Sequence, residues 1–442
     1  MIQWLEDHLM EPLGKIAQNK YLQSIRDAFV IFALPIIITG SIFLIIANPP
    51  DEISGMPVLG PLVDAWVNAV EPIQAQLLFP FNLTFGIMAI TVAFGVGYSL
   101  AQRKDDMDSV MAGILSMLAF FMTAFPVVDI EEIAFGEILA VLGGEGLFVA
   151  IILSILVTEL MDFLTKRGFT FEMPASVPPY VVRSFRVVVP FMIILPLVWA
   201  LQWIVYANFE LTLPQAIMAM FQPLVTASNT YWAALGMILV MMVLWGMGIH
   251  GMNVVSSVVY PFWMSQLAAN ADAVAAGEQA TGIVTEPFFH MFTHIGGSGV
   301  TLGLAIFMLF SASIQIKQVG KTSIVPSIFN INEPLIFGLP IVLNPILFIP
   351  FVMAPVVVVT INYIMFATGV MPPVVVQPPF TVPLGFGGFL ATGGSFMAVL
   401  IQVLNVIVAT IIYYPFFKRY EKQLVKQEQA DAAEENEQTS SA

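Results

Sequence analysis

The chain has 442 residues, 58% of them hydrophobic and only 10% charged, with a mean hydropathy of +0.88, which excludes a water-soluble globule of ordinary composition. Its net charge is −15 and it contains no cysteine, so disulfides, thiolate metal sites and a phosphocysteine within these residues are excluded as well. What remains is a polytopic membrane protein.

At the N-terminus, Glu6, Asp7, Glu11, Lys15 and Lys20 interrupt any signal-peptide core, while Leu5, Leu9, Leu13 and Ile16 recur at helical spacing. Residues 1–24 therefore read as an amphipathic helix lying in the interface. Apolar runs of about 20 residues suffice to span a bilayer. They occur near 25–48, 79–101, 107–127, 146–164, 185–207, 231–249, 251–269, 299–316, 338–363 and 396–417. The fold class predicted is an all-α integral membrane protein with about ten transmembrane helices, two re-entrant hairpins and interfacial amphipathic helices.

The loops divide by charge. All 15 Lys and Arg fall at the N-terminus, at Arg103 and Lys104, between Lys166 and Arg186, at Lys317 and Lys321, or from Lys418 onward. With that span count, every basic group lands on one side, which the positive-inside rule makes the cytoplasm, and both termini lie there. The opposite loops carry acids such as Asp51, Glu71, Glu131, Glu210 and Glu278 with no basic residue. A long inner connection near 165–190, broken by the prolines of EMPASVPPYVVRSF, sits within an N-terminal transmembrane half at 25–210. A C-terminal half follows at 211–417, opening on a short outer-surface helix at 211–226. The tail, 418–442, ends in an acidic polar stretch from Gln427 whose composition predicts disorder.

Two stretches of the second half are too short or too broken to cross. TEPFFHMFTHIGG (Thr285 to Gly297) and FNINEPLIF (Phe329 to Phe337) each hold Glu-Pro followed by large apolar residues. They read as re-entrant hairpins near 282–297, from outside, and 322–337, from the cytoplasm; interrupted segments of this kind mark substrate sites in transporters. Glu333 is a lone acid in an apolar region, costly unless it meets a partner or a cavity, and Pro334 breaks the backbone beside it. His250 lies between Gly248 and Gly251 in LWGMGIHGMNVV. It reads as a ligand or proton carrier, the alternative being an imidazole that caps the helix end. His290 and His294 have the i, i+4 spacing of metal ligands, but HMFTH lacks the acid of a zinc-protease motif, so metal is set aside and a substrate hydrogen bond from His294 is preferred. Trp245, Trp263 and Phe380 can stack on a sugar ring or serve as core. The stretch Gln377 to Ser395, rich in Gly and Pro, is a further broken segment that lines the site or packs closely. VGKTS (Val319 to Ser323) imitates the end of a nucleotide-binding loop, but Gln315 stands where its first glycine belongs. No cofactor and no nucleic-acid partner is indicated.

Together WGMGIHG (245–251), MPASVPPYVVRSF (173–185), IGGSGVTLGL (295–304) and FNINEPLIFGLPIVLNPILFIPF (329–351) resemble the sugar-transporting enzyme IIC of the bacterial phosphotransferase system, of the lactose, cellobiose and diacetylchitobiose type. The resemblance implies a homodimer in the bacterial inner membrane, its N-terminal half making the dimer contact and its C-terminal half binding a disaccharide. It implies that the sugar is phosphorylated on its 6-hydroxyl during passage, by a separate cytoplasmic enzyme IIB bearing a phosphocysteine and supplied by an enzyme IIA. Glu333 and His250 are then the reacting groups, and Asn332, His294, Trp245, Gly251 and Gly296 the substrate-binding ones. Phe380 departs from the family where a tryptophan is expected, and Glu172 where a lysine often stands. An ion-coupled sugar symporter with Glu333 as proton carrier is the alternative.

Overall fold

The computed structural model describes residues 15, 18–50, 60–125, 135–171 and 185–440. Most of the interfacial helix expected at 1–24 lies outside these residues, as do the loop acids Asp51, Glu52, Asp129, Glu131 and Glu132 and the 172–184 part of the long connection. All described elements are helical. Six helices among the described residues are long and apolar enough to cross a bilayer, or seven if Leu213–Ser228 and Tyr231–Gly246 form one broken span. Hydropathy alone averages over breaks: the run at 107–127 is the 15-residue helix Ser109–Thr123, and the run at 299–316 falls across Leu302–Leu309 and the start of Ile314–Ile328.

The chain forms two compact units, one of Met1–Asn48, Ala65–Ser228 and Ser256–Ala280, the other of Pro49–Asp64, Asn229–Val255 and Thr281–Ala442. The division interleaves segments that are distant in sequence.

In the first unit the main helices are α1 (Lys20–Ala47), α2 (Met88–Ala101), α3 (Ser109–Thr123), α4 (Leu147–Lys166), α5 (Val188–Phe209) and α6 (Leu213–Ser228). The last is the short helix expected at 211–226. α2 is apolar all round and buries Met88, Ala89, Val92, Val96 and Leu100, as a helix without a polar face must. Small residues let its neighbours close in: a Cβ on Gly97 would overlap Ser116 of α3, the packing device of helices that gain nothing from burying apolar surface against one another in lipid. α5 turns Met192, Leu197, Trp199, Trp203 and Phe209 outward.

At one end of this unit Lys104, in the loop after α2, reaches Glu159 at 2.7 Å and Asp162 at 2.8 Å, while Lys166 and Lys20 complete the cluster. Burial weakens the Lys104 ammonium, but hydrogen bonds to Asp162 and Glu159 outweigh it and hold its pKa above the ordinary lysine value. Loss of Lys104 would leave Glu159 to Lys20 and Asp162 to Lys166, both on the exposed side of the cluster. Lys104→Met is therefore expected to destabilise the protein by about 1 kcal/mol, read as a lowered unfolding temperature in detergent; an unchanged temperature would show the cluster to be a solvated surface feature.

In the second unit the helices are α7 (Tyr231–Gly246), the first turn of α8 (Gly251–Ala275), α9 (Leu302–Leu309), α10 (Ile314–Ile328), α11 (Glu333–Gly338), α12 (Pro345–Ala367) and α13 (Phe396–Ser440). The first expected hairpin contains only a six-residue π-helix, Phe288–Thr293, and the second breaks between Ile328 and Glu333. Such backbone leaves amides and carbonyls without intrahelical partners, and lipid offers none. Polar side chains from the spans supply them. Asn362 of α12 and Asn405 of α13 both donate to the Phe292 carbonyl and bond each other at 2.7 Å; Gln402 donates to Met291 O, and Tyr413 to Gly299 O.

The acidic stretch from Gln427, expected to be disordered, is helical to Ser440 as part of α13. Glu428 accepts from Ser313 Oγ and from the Ile314 and Gln315 amides at the start of α10, and Glu421 accepts from Ser311 Oγ and the Ala312 amide. Carboxylates at a helix N-terminus satisfy its orphan donors, so this segment is tethered rather than merely solvated.

Candidate functional site

α7 ends at Gly246, and Gly248 takes φ 78° to turn the chain into α8, a conformation glycine adopts without strain. His250 follows as the N-cap: its carbonyl accepts from the Val254 amide, and its Nδ1 accepts from the Asn253 amide at 3.2 Å. An accepting Nδ1 fixes the tautomer, so Nε2 carries the proton. That Nε2 lies 3.5 Å from Glu333 Oε1. The helix-cap reading of His250 uses Nδ1 alone, which leaves Nε2 turned toward Glu333.

Glu333 opens α11 with Pro334 behind it. Its side chain is 43% exposed and that of His250 37%, so the pair is placed where a solute can reach it. Trp245 is buried and its ring centre lies 4.5 Å from that of His250. It forms a wall behind the imidazole. Gly251 likewise serves packing: a Cβ there would run into the Met241 carbonyl.

The two broken segments meet. Asn332 donates to Ser298 O at 2.6 Å and to Thr301 Oγ1 at 2.7 Å, and a Cβ on Gly297 would overlap it. Both amide hydrogens of Asn332 are thus engaged within the protein, leaving its carbonyl oxygen for any ligand. Asn330, which sequence reasoning passed over, ties the knot on both sides. Its Oδ1 accepts from the Gly296 amide at 2.9 Å, and its Nδ2 donates to Phe380 O and Val382 O in the third broken stretch. It sits at φ 61° just past the end of α10. Asparagine at a helix C-terminus is the signal that could have found it.

His294 is buried, its Nδ1 donating to Phe289 O at 3.1 Å and its Nε2 enclosed with no protein partner. His290 Nδ1 lies 2.6 Å from Glu286 Oε1, and Gln377 donates to Glu286 Oε2. The i, i+4 histidines are therefore committed to separate partners, and among the described residues no cluster of three metal-ligating side chains occurs. Of the aromatic candidates, Trp263 is wholly buried in the first unit, whereas Phe380 is half-exposed with its ring centre 5.9 Å from that of His290.

A helical membrane protein in which broken segments converge on a carboxylate and an imidazole is built as a transporter of a polar solute. The description "Phosphotransferase system, EIIC" fits residues 26–355. A lichenan permease IIC component of Bacillus subtilis (strain 168) is 39% identical over 437 residues, covering 96% of this chain and 95% of its own. A cellobiose-specific EIIC component of Geobacillus stearothermophilus is 38% identical, with 97% and 96% covered. The crystal structure of the transporter ChbC, the IIC component from the N,N'-diacetylchitobiose-specific phosphotransferase system, superposes with a TM-score of 0.86 at 34% identity, over 96% of this chain and 99% of that one. The chain belongs to the phosphotransferase-system EIIC family: it is a multi-pass membrane sugar-transport component that works with IIA and IIB components. In a lactose-specific EIICB component of Staphylococcus aureus (strain COL), 32% identical, the match covers 94% of this chain and 71% of that protein. Neither the family nor the fold supports the ion-coupled alternative.

Asn330→Ala removes three hydrogen bonds, worth about 1 kcal/mol each, and forces alanine into the left-handed region at about 1 kcal/mol more. Asn330→Gly loses the bonds without the strain. The alanine variant is expected to melt lowest in detergent, glycine next and wild type highest; equal melting of the two variants would remove the strain from the account.

Proposed function

We propose that the chain carries a disaccharide of the cellobiose, lactose or diacetylchitobiose kind inward and presents its 6-hydroxyl for phosphorylation by a phosphocysteine of enzyme IIB that lies outside these 442 residues. The observation that carries this reading is the approach of His250 Nε2 to Glu333 Oε1, 3.5 Å apart and half-exposed in an apolar unit. The names of the similar proteins support the sugar class.

The chemistry follows from what each atom can do. Glu333 accepts the proton of the sugar 6-hydroxyl as the oxygen attacks phosphorus; the phosphorus–sulfur bond breaks and the IIB cysteine leaves as thiolate. His250, with its proton on Nε2, donates to the attacking oxygen or to a phosphoryl oxygen. Phosphoryl transfer depends mainly on positioning and electrostatics, and a base must sit within hydrogen-bond reach of its proton. The N-cap bond from Asn253 and the Trp245 wall hold the imidazole for that purpose. His294 joins in sugar binding, with Asn332 offering its carbonyl oxygen and Gly296 giving close approach. The phosphorylated product is charged and binds poorly, which makes passage one-way.

Both termini lie on the cytoplasmic side of a bacterial inner membrane, a reading that the one-sided basic loops support, and the Glu333–His250 pair then faces the IIB donor. The chain pairs as a homodimer through its first unit, where α5 offers an apolar outer face with Trp199 stacked on Trp203.

Membrane vesicles supplied with phosphoenolpyruvate and the soluble components test the mechanism. Glu333→Gln is expected to bind disaccharide within about threefold of wild type while phosphorylation falls about 100-fold or more. Normal phosphorylation by that variant contradicts the assignment, and uptake of free sugar driven by a proton gradient contradicts the coupling.

A further inference from the structure

A second carboxylate–imidazole pair lies in the same unit, and the mechanism makes no use of it. Glu286 is 4% exposed, a cost that a chain in lipid bears only for a partner or a function. Its Oε2 accepts from Gln377 Nε2 at 2.5 Å, and its Oε1 lies 2.6 Å from His290 Nδ1. His290 thus turns its Nδ1 edge toward Glu286 in a close ion-pair approach, not in an aligned hydrogen bond. That leaves the Nε2 edge of a partly exposed ring. His290 and His294 have ring centres 6.2 Å apart. His294 donates through Nδ1 to Phe289 O, so its Nε2 is a bare acceptor, buried and unpartnered within the protein. A buried acceptor without a partner is costly, which marks it as a place for a ligand's donor. Half-exposed Phe380 stands beside His290, with its backbone fixed by Asn330.

We propose that His290 and His294 form a second recognition centre of the sugar site, taking two hydroxyls other than the 6-hydroxyl, with Glu286 and Gln377 as positioning residues that aim His290. The proposal rests on the sugar-transport reading above and extends it from His294 to His290, Glu286 and Gln377, which that reading leaves idle. A hydroxyl donates or accepts, so it suits the bare Nε2 of His294 and either protonation state of His290. A site built to hydrogen-bond a hydroxyl rejects the analogue that lacks it far more strongly than an apolar pocket rejects an added one.

Calorimetric titration of the full-length protein in detergent with cellobiose, lactose and diacetylchitobiose, then with the monodeoxy analogues of the tightest binder, tests this. The wild type is expected to bind at least two analogues modified away from the 6-position tenfold or more weakly. In His290→Phe, which keeps a ring and removes the nitrogens, one of those deficits should shrink to under threefold while the 6-deoxy deficit stays. Gln377→Leu, a milder change, should reduce the same single deficit in part, whereas a merely structural role would weaken every analogue alike. Identical deficits in wild type and variants overturn the proposal. A wild type that loses affinity only for the 6-deoxy analogue overturns this proposal and leaves the sugar reading standing, and failure to bind any of the disaccharides overturns both.

Discussion

The constraint on which the second unit depends is that backbone leaving the helix at membrane depth has to find hydrogen-bond partners inside the protein. Phe288–Thr293 and the break before Glu333 both violate regular helix, and both are held by amide and hydroxyl side chains. Asn362, Gln402, Asn405 and Tyr413 reach in from the spans, and Asn330 and Asn332 cross from one broken segment to the other. A net contribution of about 1 kcal/mol per hydrogen bond understates their role. Replacing one partner leaves a buried carbonyl or amide unsatisfied, and that loss decides whether the broken geometry persists. The same knot sets where Glu333 and His294 stand, so the groups available to a sugar are fixed by residues that do not themselves need to touch it.

On this scaffold the two nitrogens of His250 are turned to different partners. Nδ1 completes the N-terminus of α8, and Nε2 faces Glu333. Because the cap determines the tautomer, the helix start and the protonation pattern of the site are one feature. Trp245 stands behind the ring rather than open to solute, which moves any ring stacking toward Phe380, the half-exposed aromatic of the third broken stretch. Phenylalanine there offers an apolar face of smaller area than tryptophan and no N–H donor.

The class of protein was legible from composition, and the Glu333–His250 pair stood out through two local irregularities, an acid beside proline in an apolar run and a histidine between glycines. Local rules reach that far because Pro334 and Gly248 act on the residues next to them. They fail where the partner is remote in sequence. Gln377 meets Glu286 across 91 positions, and Glu428 caps α10 across 113 to 115. The first contact holds the carboxylate beside His290, and the second ties α13 to the start of α10. Span counting also reaches its limit here, since an apolar window does not distinguish a continuous helix from Leu302–Leu309 followed by a break. Trp245 is buried beside His250 and Gly251 lies against the Met241 carbonyl, packing that residue type alone does not reveal.

The central claim is that the sugar's primary alcohol is brought to the Glu333–His250 pair. A structure of the protein with bound disaccharide measures it directly: the account predicts the 6-hydroxyl oxygen within hydrogen-bond reach of both Glu333 and the Nε2 of His250, about 2.6 to 3.2 Å. A disaccharide bound in the second unit with that hydroxyl turned away from both side chains would contradict it.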